Sequence, residues 1–591
     1  MMRTTRLTMT GLLVLAVATG CFPWSNSPED TVNRFTEALT RADVDAAAAE
    51  TSDPASAKAA LQSMFDGMGS KATLAATPKL DDKDATGTVD YSWTIRESRT
   101  VGYQTTVTLQ KGAGDWKVQW APTLLHPQLS AGRTLSYSDD MDYSTRVLDR
   151  NGQPIMNWQP VTLVSLNRAD LASAARLART LRVVEPTMTE AGIRKQFESS
   201  PADVQTVIRL RDSDFAKIKR QLTGITGVTT TNQGALLSAT KDLHSPAMSG
   251  LEDVWRSAIG ATAGWSVSIV DGNNVPTDVI KQVAPQPTEP IRTGLDRDIQ
   301  SHAQRAVDTE RRPAVVVAIA PSTGQIVAVA QNSAADRSGA IALSGLYPPG
   351  STFKTITTAA GLESGVVESD TRLPCPGRTT VEGRTIPNEN DFDLGTVPLA
   401  TAFAQSCNTT MGALANRLPA DALPTTARQF GIGVDYVIPG VTTVTGTVSD
   451  ASSPALRVEN GIGQGTVAVS PFGLAVAEAS LARGATITPT LIVGKQTSAN
   501  TALQRIPTEV TRQLGAMMRQ TVTSGTATAL RDIPGLGGKT GTAEYGDNTN
   551  PHGWFAGIVG DLAFATLVVG GGSSAPAVRV TGDFLQPLVD G

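Results

Sequence analysis

A serine and a lysine stand three residues apart in Pro349-Gly350-Ser351-Thr352-Phe353-Lys354, and Ser406-Cys407-Asn408 and Lys539-Thr540-Gly541-Thr542 follow in that order. Side chains at i and i+3 share one face of a helix, so Lys354 can reach the Ser351 hydroxyl. A serine is a poor nucleophile until a base takes its proton. Lysine serves as that base only when burial or nearby positive charge lowers its pKa, and Lys539 can supply the charge. Ser406 can relay protons between Lys354 and a leaving amine, while Asn408 can hydrogen-bond a substrate amide. Lys539 and Thr540 can hold a carboxylate by charge and hydroxyl contact, and Gly541, lacking a side chain, lets a ligand lie against a strand edge. A helix starting at Ser351 also aims a backbone N–H at a developing oxyanion. The order S-x-x-K, S-x-N, K-T-G is the pattern of acyl transfer through a serine ester.

Short matches of this kind arise by chance, and position must decide among them. S-x-x-K recurs at Ser238-Ala239-Thr240-Lys241, and S-x-N at Ser165-Leu166-Asn167 and Ser498-Ala499-Asn500, but K-[ST]-G occurs only at Lys539. Tyr347-Pro348-Pro349-Gly350 breaks the chain before a helix running toward Ala360, which places Ser351 at a helix N-terminus. Ser238 lacks such a context. Gly537-Gly538-Lys539-Thr540 is not a phosphate loop, because the earlier glycine that loop requires is Ile533 here.

The elements that must position these groups come from both ends of one segment. Ala314 to Ile319 and Gln325 to Ala330 read as buried strands joined at Pro321-Ser322-Thr323-Gly324, and Trp554 to Val559 and Leu562 to Val569 as a pair joined through Gly560-Asp561. An antiparallel sheet built from these puts Lys539 on a strand near its middle, and the intervening residues supply a helical lobe. Ala402, Phe403 and Gln405 read as the end of a helix, so Ser406-Cys407-Asn408 lies in an interhelical loop.

At 591 residues the chain exceeds one hydrophobic core. Ser27-Pro28-Glu29-Asp30 reads as a helix start, with Val32, Phe35, Leu39 and Ala42 on one face. Val89, Tyr91, Trp93 and Ile95 then alternate with polar residues, and a hairpin joins Thr105-Val107-Leu109 to Trp116-Val118-Trp120. Together these make a small α+β domain ending near His126. A second segment, from Leu129 to Val283, opens with a strand and the turn Asp149-Arg150-Asn151-Gly152, and Pro285, Pro287 and Pro290 form an extended linker. A net charge of -5 without a long basic run gives no reason to expect nucleic-acid binding. Four histidines and three cysteines, with no H-E-x-x-H or C-x-x-C, give no metal site.

Arg3 and Arg6 precede an apolar run from Leu12 to Ala18 that is too short to span a bilayer and ends in Thr19-Gly20-Cys21. This resembles a lipoprotein signal peptide with Cys21 as the acylated residue; the alternative is an uncleaved signal anchor. Either exports the rest of the chain. In an oxidising compartment Cys375 and Cys407 could pair, or remain two buried thiols.

The fragments PPGSTFK, QSCNT, Gly463-Gln464-Gly465 with Ser470-Pro471, Ser524-Gly525-Thr526-Ala527, KTGTAE and His552-Gly553-Trp554-Phe555 make the chain from Ile291 onward resemble the transpeptidase domain of class B penicillin-binding proteins. The first domain looks like the NTF2-like domain of methicillin-resistance-type penicillin-binding proteins, and with Cys21 the whole resembles penicillin-binding lipoproteins of actinobacterial type. The resemblance implies an α+β multidomain chain: signal peptide 1–20, NTF2-like domain 21–128, dimerisation or pedestal domain 129–284, and transpeptidase domain 291–591 with an antiparallel sheet and a helical lobe. It implies Ser351 as acyl acceptor, Lys354 as base, Ser406 and Asn408 as second motif, Lys539-Thr540-Gly541 as third, and an oxyanion hole from the N–H groups of Ser351 and Thr542. The implied activity is D,D-transpeptidation of peptidoglycan stem peptides, blocked by β-lactams, monofunctional and without a metal or organic cofactor. A D,D-carboxypeptidase and a non-catalytic β-lactam sensor or scaffold are the alternatives. The implied partners are proteins of a cell-wall synthesis complex, and the implied location is the outer face of the cell membrane. Gly570-Gly571-Gly572 departs from the acidic residue frequent in the family after the last strand.

Overall fold

The computed structural model describes residues 27–81, 85–96, 98–112, 114–544 and 550–590. The signal segment and Cys21 lie outside them. The chain forms two compact units, one from the chain up to Asp142 with Thr262–Pro287, the other from Tyr143–Ala261 with Thr288 onward. The stretch read as a second segment, 129–284, thus contributes to both.

In the first unit, the Ser27 hydroxyl accepts a hydrogen bond from Asp30 N at 3.0 Å and starts the helix Pro28–Thr40, which buries Val32, Phe35 and Leu39. Helices Val44–Ala49 and Pro54–Met68 follow. The strands Thr73–Leu80, Thr86–Arg96, Arg99–Lys111 and Trp116–Val118 make an antiparallel meander. Period-two alternation turns Val89, Tyr91, Trp93 and Ile95 inward, where the Phe65 ring meets Trp93 edge-on at 5.4 Å. Trp265, Val267 and Ile269, from a separate three-stranded sheet, complete that core.

The second unit opens with strands Val147–Leu148, Pro154–Asn167, Val204–Arg211 and Val228–Ser238, and Ile291–Arg292 pairs in parallel with Val147–Leu148. The Asp149-Arg150-Asn151-Gly152 turn is a junction. The buried Asp149 carboxylate accepts from Asn151 N at 2.8 Å, Gln153 N at 2.7 Å and Arg297 N at 3.3 Å. The residues after the proline-rich linker are therefore stitched back onto this sheet.

The rest of the unit is built on five antiparallel strands: β1 Ala314–Ala320, β2 Gln325–Gln331, β3 Gly537–Ala543, β4 His552–Val559 and β5 Leu562–Val568, in the order β2-β1-β5-β4-β3. The expectation of a sheet joined from both ends of the segment holds in this order. The expected place of Lys539 does not: β3 is the edge strand, bonded to β4 alone. Its free edge is what a peptide could extend. Helices α1 Lys354–Glu363, α2 Leu399–Ala404, α3 Asn408–Arg417, α4 Pro471–Arg483 and α5 Thr508–Ser524 supply the lobe and its packing. Ser470 caps α4, accepting from Gly473 N at 2.9 Å, and Gly484 in the left-handed region ends it; Pro471 to Leu481 are buried throughout.

Candidate active site

Ser351 sits in a 3-10 turn, Gly350–Phe353, that runs straight into α1. The turn is pinned by backbone and indole bonds: Gly350 N donates to Gly463 O at 3.0 Å and Trp554 Nε1 to Pro348 O at 3.0 Å. Two glycines let β3 lie against it. A Cβ on Gly350, whose φ is +52°, would stand 2.4 Å from Thr542 O, and one on Gly541 would stand 2.8 Å from Pro349 O and from Thr352 Cγ2. The space that the missing side chain of Gly541 leaves is filled by the protein's own serine turn.

Lys354 is wholly buried at the start of α1. Its Nζ lies 2.7 Å from Ser406 O, 3.2 Å from Ser406 Oγ and 2.6 Å from Asn408 Oδ1. Burial, and then the charge of Lys539, push its pKa well below the ordinary lysine value, against an opposing pull from Glu389. Two of these partners, the Ser406 carbonyl and the Asn408 carboxamide oxygen, are pure acceptors. They engage both hydrogens of a neutral amine and leave its lone pair for a hydroxyl. Asn408 lines the cavity as well: its oxygen holds Lys354 and its Nδ2, with two hydrogens to give, donates one to Pro387 O at 2.9 Å.

Ser406 reaches this position with a φ of +62°. A non-glycine residue held in that region costs on the order of 1 kcal/mol and persists only where its surroundings impose it. Those surroundings include the Cys375–Cys407 disulfide, with Cα atoms 6.2 Å apart, which ties the loop between α2 and α3 to the strand Arg372–Cys375. The alternative of two free thiols gives way to a bonded pair.

Lys539 is also fully buried, with Nζ 5.7 Å from the centre of the Phe403 ring and donating to Thr540 O at 3.1 Å. Burial lowers its pKa to about 7 despite the charge of Glu389. The Thr540 hydroxyl lies 2.6 Å from that of Thr526. Thr526 belongs to the SGTA fragment but was not singled out as a site residue. One cavity of about 770 Å³ brings Ser351, Ser406, Asn408 and Thr542 together with the wall Arg378 to Asp391. Lys539 and Thr540 lie behind its surface.

The wall is the part sequence reasoning missed. The wall is a hairpin of strands Arg378–Val381 and Arg384–Pro387, and the buried Asn388 after it donates to Pro376 O and Phe392 O at 2.9 Å each and accepts from Thr409 N at 3.1 Å, joining the hairpin to α3. No local motif marks it. The second S-x-x-K pair is excluded by contact: Ser238 Oγ donates to Thr240 O at 2.9 Å, and Lys241 Nζ pairs with Asp214 at 3.2 Å.

Residues 314–586 match the family described as penicillin binding protein transpeptidase domain, and residues 27–133 that described as NTF2-like N-terminal transpeptidase domain. The chain is 32% identical over 263 residues to the peptidoglycan D,D-transpeptidase PbpA of Mycobacterium tuberculosis, covering 40% of this chain and 50% of that protein. It is 30% identical over 361 residues to the peptidoglycan D,D-transpeptidase PbpA of Mycolicibacterium smegmatis, covering 52% of this chain and 69% of that one. The match thus spans about half the length of the first relative. A chain of the complex between penicillin-binding protein PBP2 and MreC from Helicobacter pylori shares the fold, with a TM-score of 0.57 at 15% identity over 77% of this chain and 99% of that one. With the serine turn, the lysine cradle and the edge strand gathered at one cavity, the chain belongs to the class B penicillin-binding proteins, an NTF2-like domain preceding its transpeptidase domain.

Proposed function

We propose that the chain is a monofunctional peptidoglycan D,D-transpeptidase. Neutral Lys354 takes the proton of Ser351, whose Oγ attacks the carbonyl carbon of the penultimate D-alanine of a donor stem. Charge gathers on the carbonyl oxygen, facing the N–H groups of Ser351 and Thr542. The C–N bond breaks, and the proton passes through Ser406 to the departing D-alanine. An amine from a second stem then attacks the ester, the bond to Ser351 Oγ breaks, and the amine's proton returns by the same relay. The Thr542 hydroxyl on β3, with Thr540 and Lys539 behind it, holds the donor carboxylate. β-Lactams acylate Ser351 by the first half of this path.

The observation that carries the reading is Lys354, fully buried, its pKa pushed well below the ordinary lysine value by burial and by Lys539, and cradled by Ser406 and Asn408 at the cavity that holds Ser351. Intact mass after incubation with penicillin tests it. Wild type and Ser238→Ala gain one adduct and Ser351→Ala none; acylation that persists in Ser351→Ala refutes the assignment.

The chain further acts at the outer face of the cell membrane, held by lipid on Cys21 after removal of residues 1–20. In support, Arg3 and Arg6 precede the short apolar run Leu12 to Ala18, which ends in Thr19-Gly20 before Cys21. Cys21→Ala then releases the protein from the membrane fraction. Other proteins of wall assembly are its proposed partners, in line with the PBP2 and MreC complex.

A further inference from the structure

The cavity beside Ser351 has an uneven distribution of charge. Two of its ion pairs cancel internally, Arg378 with Asp391 at 2.8 Å and Arg384 with Glu459 at 2.7 Å. Glu389 lines the same cavity, is exposed to solvent, and forms no salt bridge among the described residues. Its charge is felt by both buried lysines, Lys354 and Lys539.

Its mounting is rigid. Asn388, one residue earlier, is buried and fixed on both sides of its amide, and Pro387, two residues earlier, accepts from Asn408. Asn390 and Asp391 follow with φ of +52° and +56°, so a turn of consecutive left-handed residues presents Glu389. Residues held in that region cluster at ligand clamps.

Resting on the transpeptidase reading above, we propose that Glu389 recognises the acceptor strand by capturing its amine as an ammonium, which gives one proton to water before the free amine attacks the acyl-enzyme. An alkyl amine is protonated at neutral pH. It must approach a site with Lys539 behind its surface, and the charge of that lysine suits the donor's carboxylate and repels a cation. A carboxylate fixed at the cavity surface offsets that repulsion, while the paired arginines leave its field unopposed.

The test compares two acceptors attacking one acyl-enzyme, formed from a D-alanyl thiolester donor. Nα-acetyl-lysinamide arrives as a cation, and hydroxylamine is largely uncharged at neutral pH. Any change in acylation or in Lys354 cancels in the ratio of the two aminolysis rates. Glu389→Gln lowers the ratio of cationic to neutral aminolysis about tenfold, and Glu389→Lys lowers it further. An unchanged ratio in both variants, with normal acyl-enzyme formation, overturns the assignment of Glu389 alone. Failure of the wild type to form any acyl-enzyme overturns the transpeptidase reading along with it.

Discussion

Asn408 bridges base and wall: its Oδ1 accepts from Lys354 Nζ at 2.6 Å while its Nδ2 donates to Pro387 O at 2.9 Å. A neutral carboxamide in that place steadies the lysine and favours its charged form far less than a carboxylate would.

Asn408→Asp changes only that balance. A carboxylate against Lys354 favours the ammonium and raises its pKa by about one to three units. Penicillin acylation at pH 7 then falls about tenfold or more, and the rising limb of its pH profile moves to higher pH. A lower rate at every pH with no movement of the limb would argue against control of the lysine's charge.

Lys539→Met acts in the same sense by another route. The charge of Lys539 helps hold Lys354 below its ordinary pKa, so its removal lets that pKa rise and again shifts the limb upward. In the wild type Lys539 itself loses its proton near pH 7, so donor binding weakens above that pH. Rates against pH, with KM for a carboxylated and an amidated donor, separate the two effects.

Gly541→Ala drives a methyl group into Pro349 O and Thr352 Cγ2, each 2.8 Å from where it would stand. The serine turn or β3 must move, and a displacement approaching 1 Å costs about a hundredfold in the chemical step. Slow acylation in a variant whose melting temperature drops by only a few degrees is the expected result. Unaltered acylation would show that the turn absorbs the methyl group.

Glu478 lies on α4, fully buried, and neither carboxyl oxygen has a hydrogen-bond partner among the described residues. Burial raises its pKa to about 8. The unfolded chain releases this proton near pH 4.5 and the folded chain near pH 8. Stability from this group is therefore complete below the unfolded pKa and declines as pH rises through that window, by about 5 kcal/mol in total. Glu478→Gln flattens the decline. Melting temperatures from pH 5 to 8 that fall equally in both proteins would count against it.

Local signals carried far in this chain. Ser27 capping before Pro28 started a helix, and alternation from Val89 to Ile95 predicted an inward face. The strand pair around Gly560 also formed as its turn residues required. Strand order is not a local property, and the edge position of β3 follows from β5 pairing with β1, residues far apart in sequence. The Ser351, Lys354 and Ser406 cluster was legible because spacing on a helix and a break before it constrain geometry. Asn388 and Glu389 were not, since their place depends on a hairpin fastened by Cys375 to Cys407. Glu478 did leave a trace, as one acid within the apolar run Phe472 to Leu481.

The pairing of β1 with β5 also orders events in time. A ribosome extends the chain from one end, so Ser351 and Lys354 exist long before Lys539 and the strands β4 and β5 that hold it. Closing a sheet across that separation is slow, because the entropy of the long loop must be overcome before its contacts form. A partly synthesised molecule therefore contains the nucleophile without the strand that organises it, and reactivity toward acyl donors appears only when the last strands have docked.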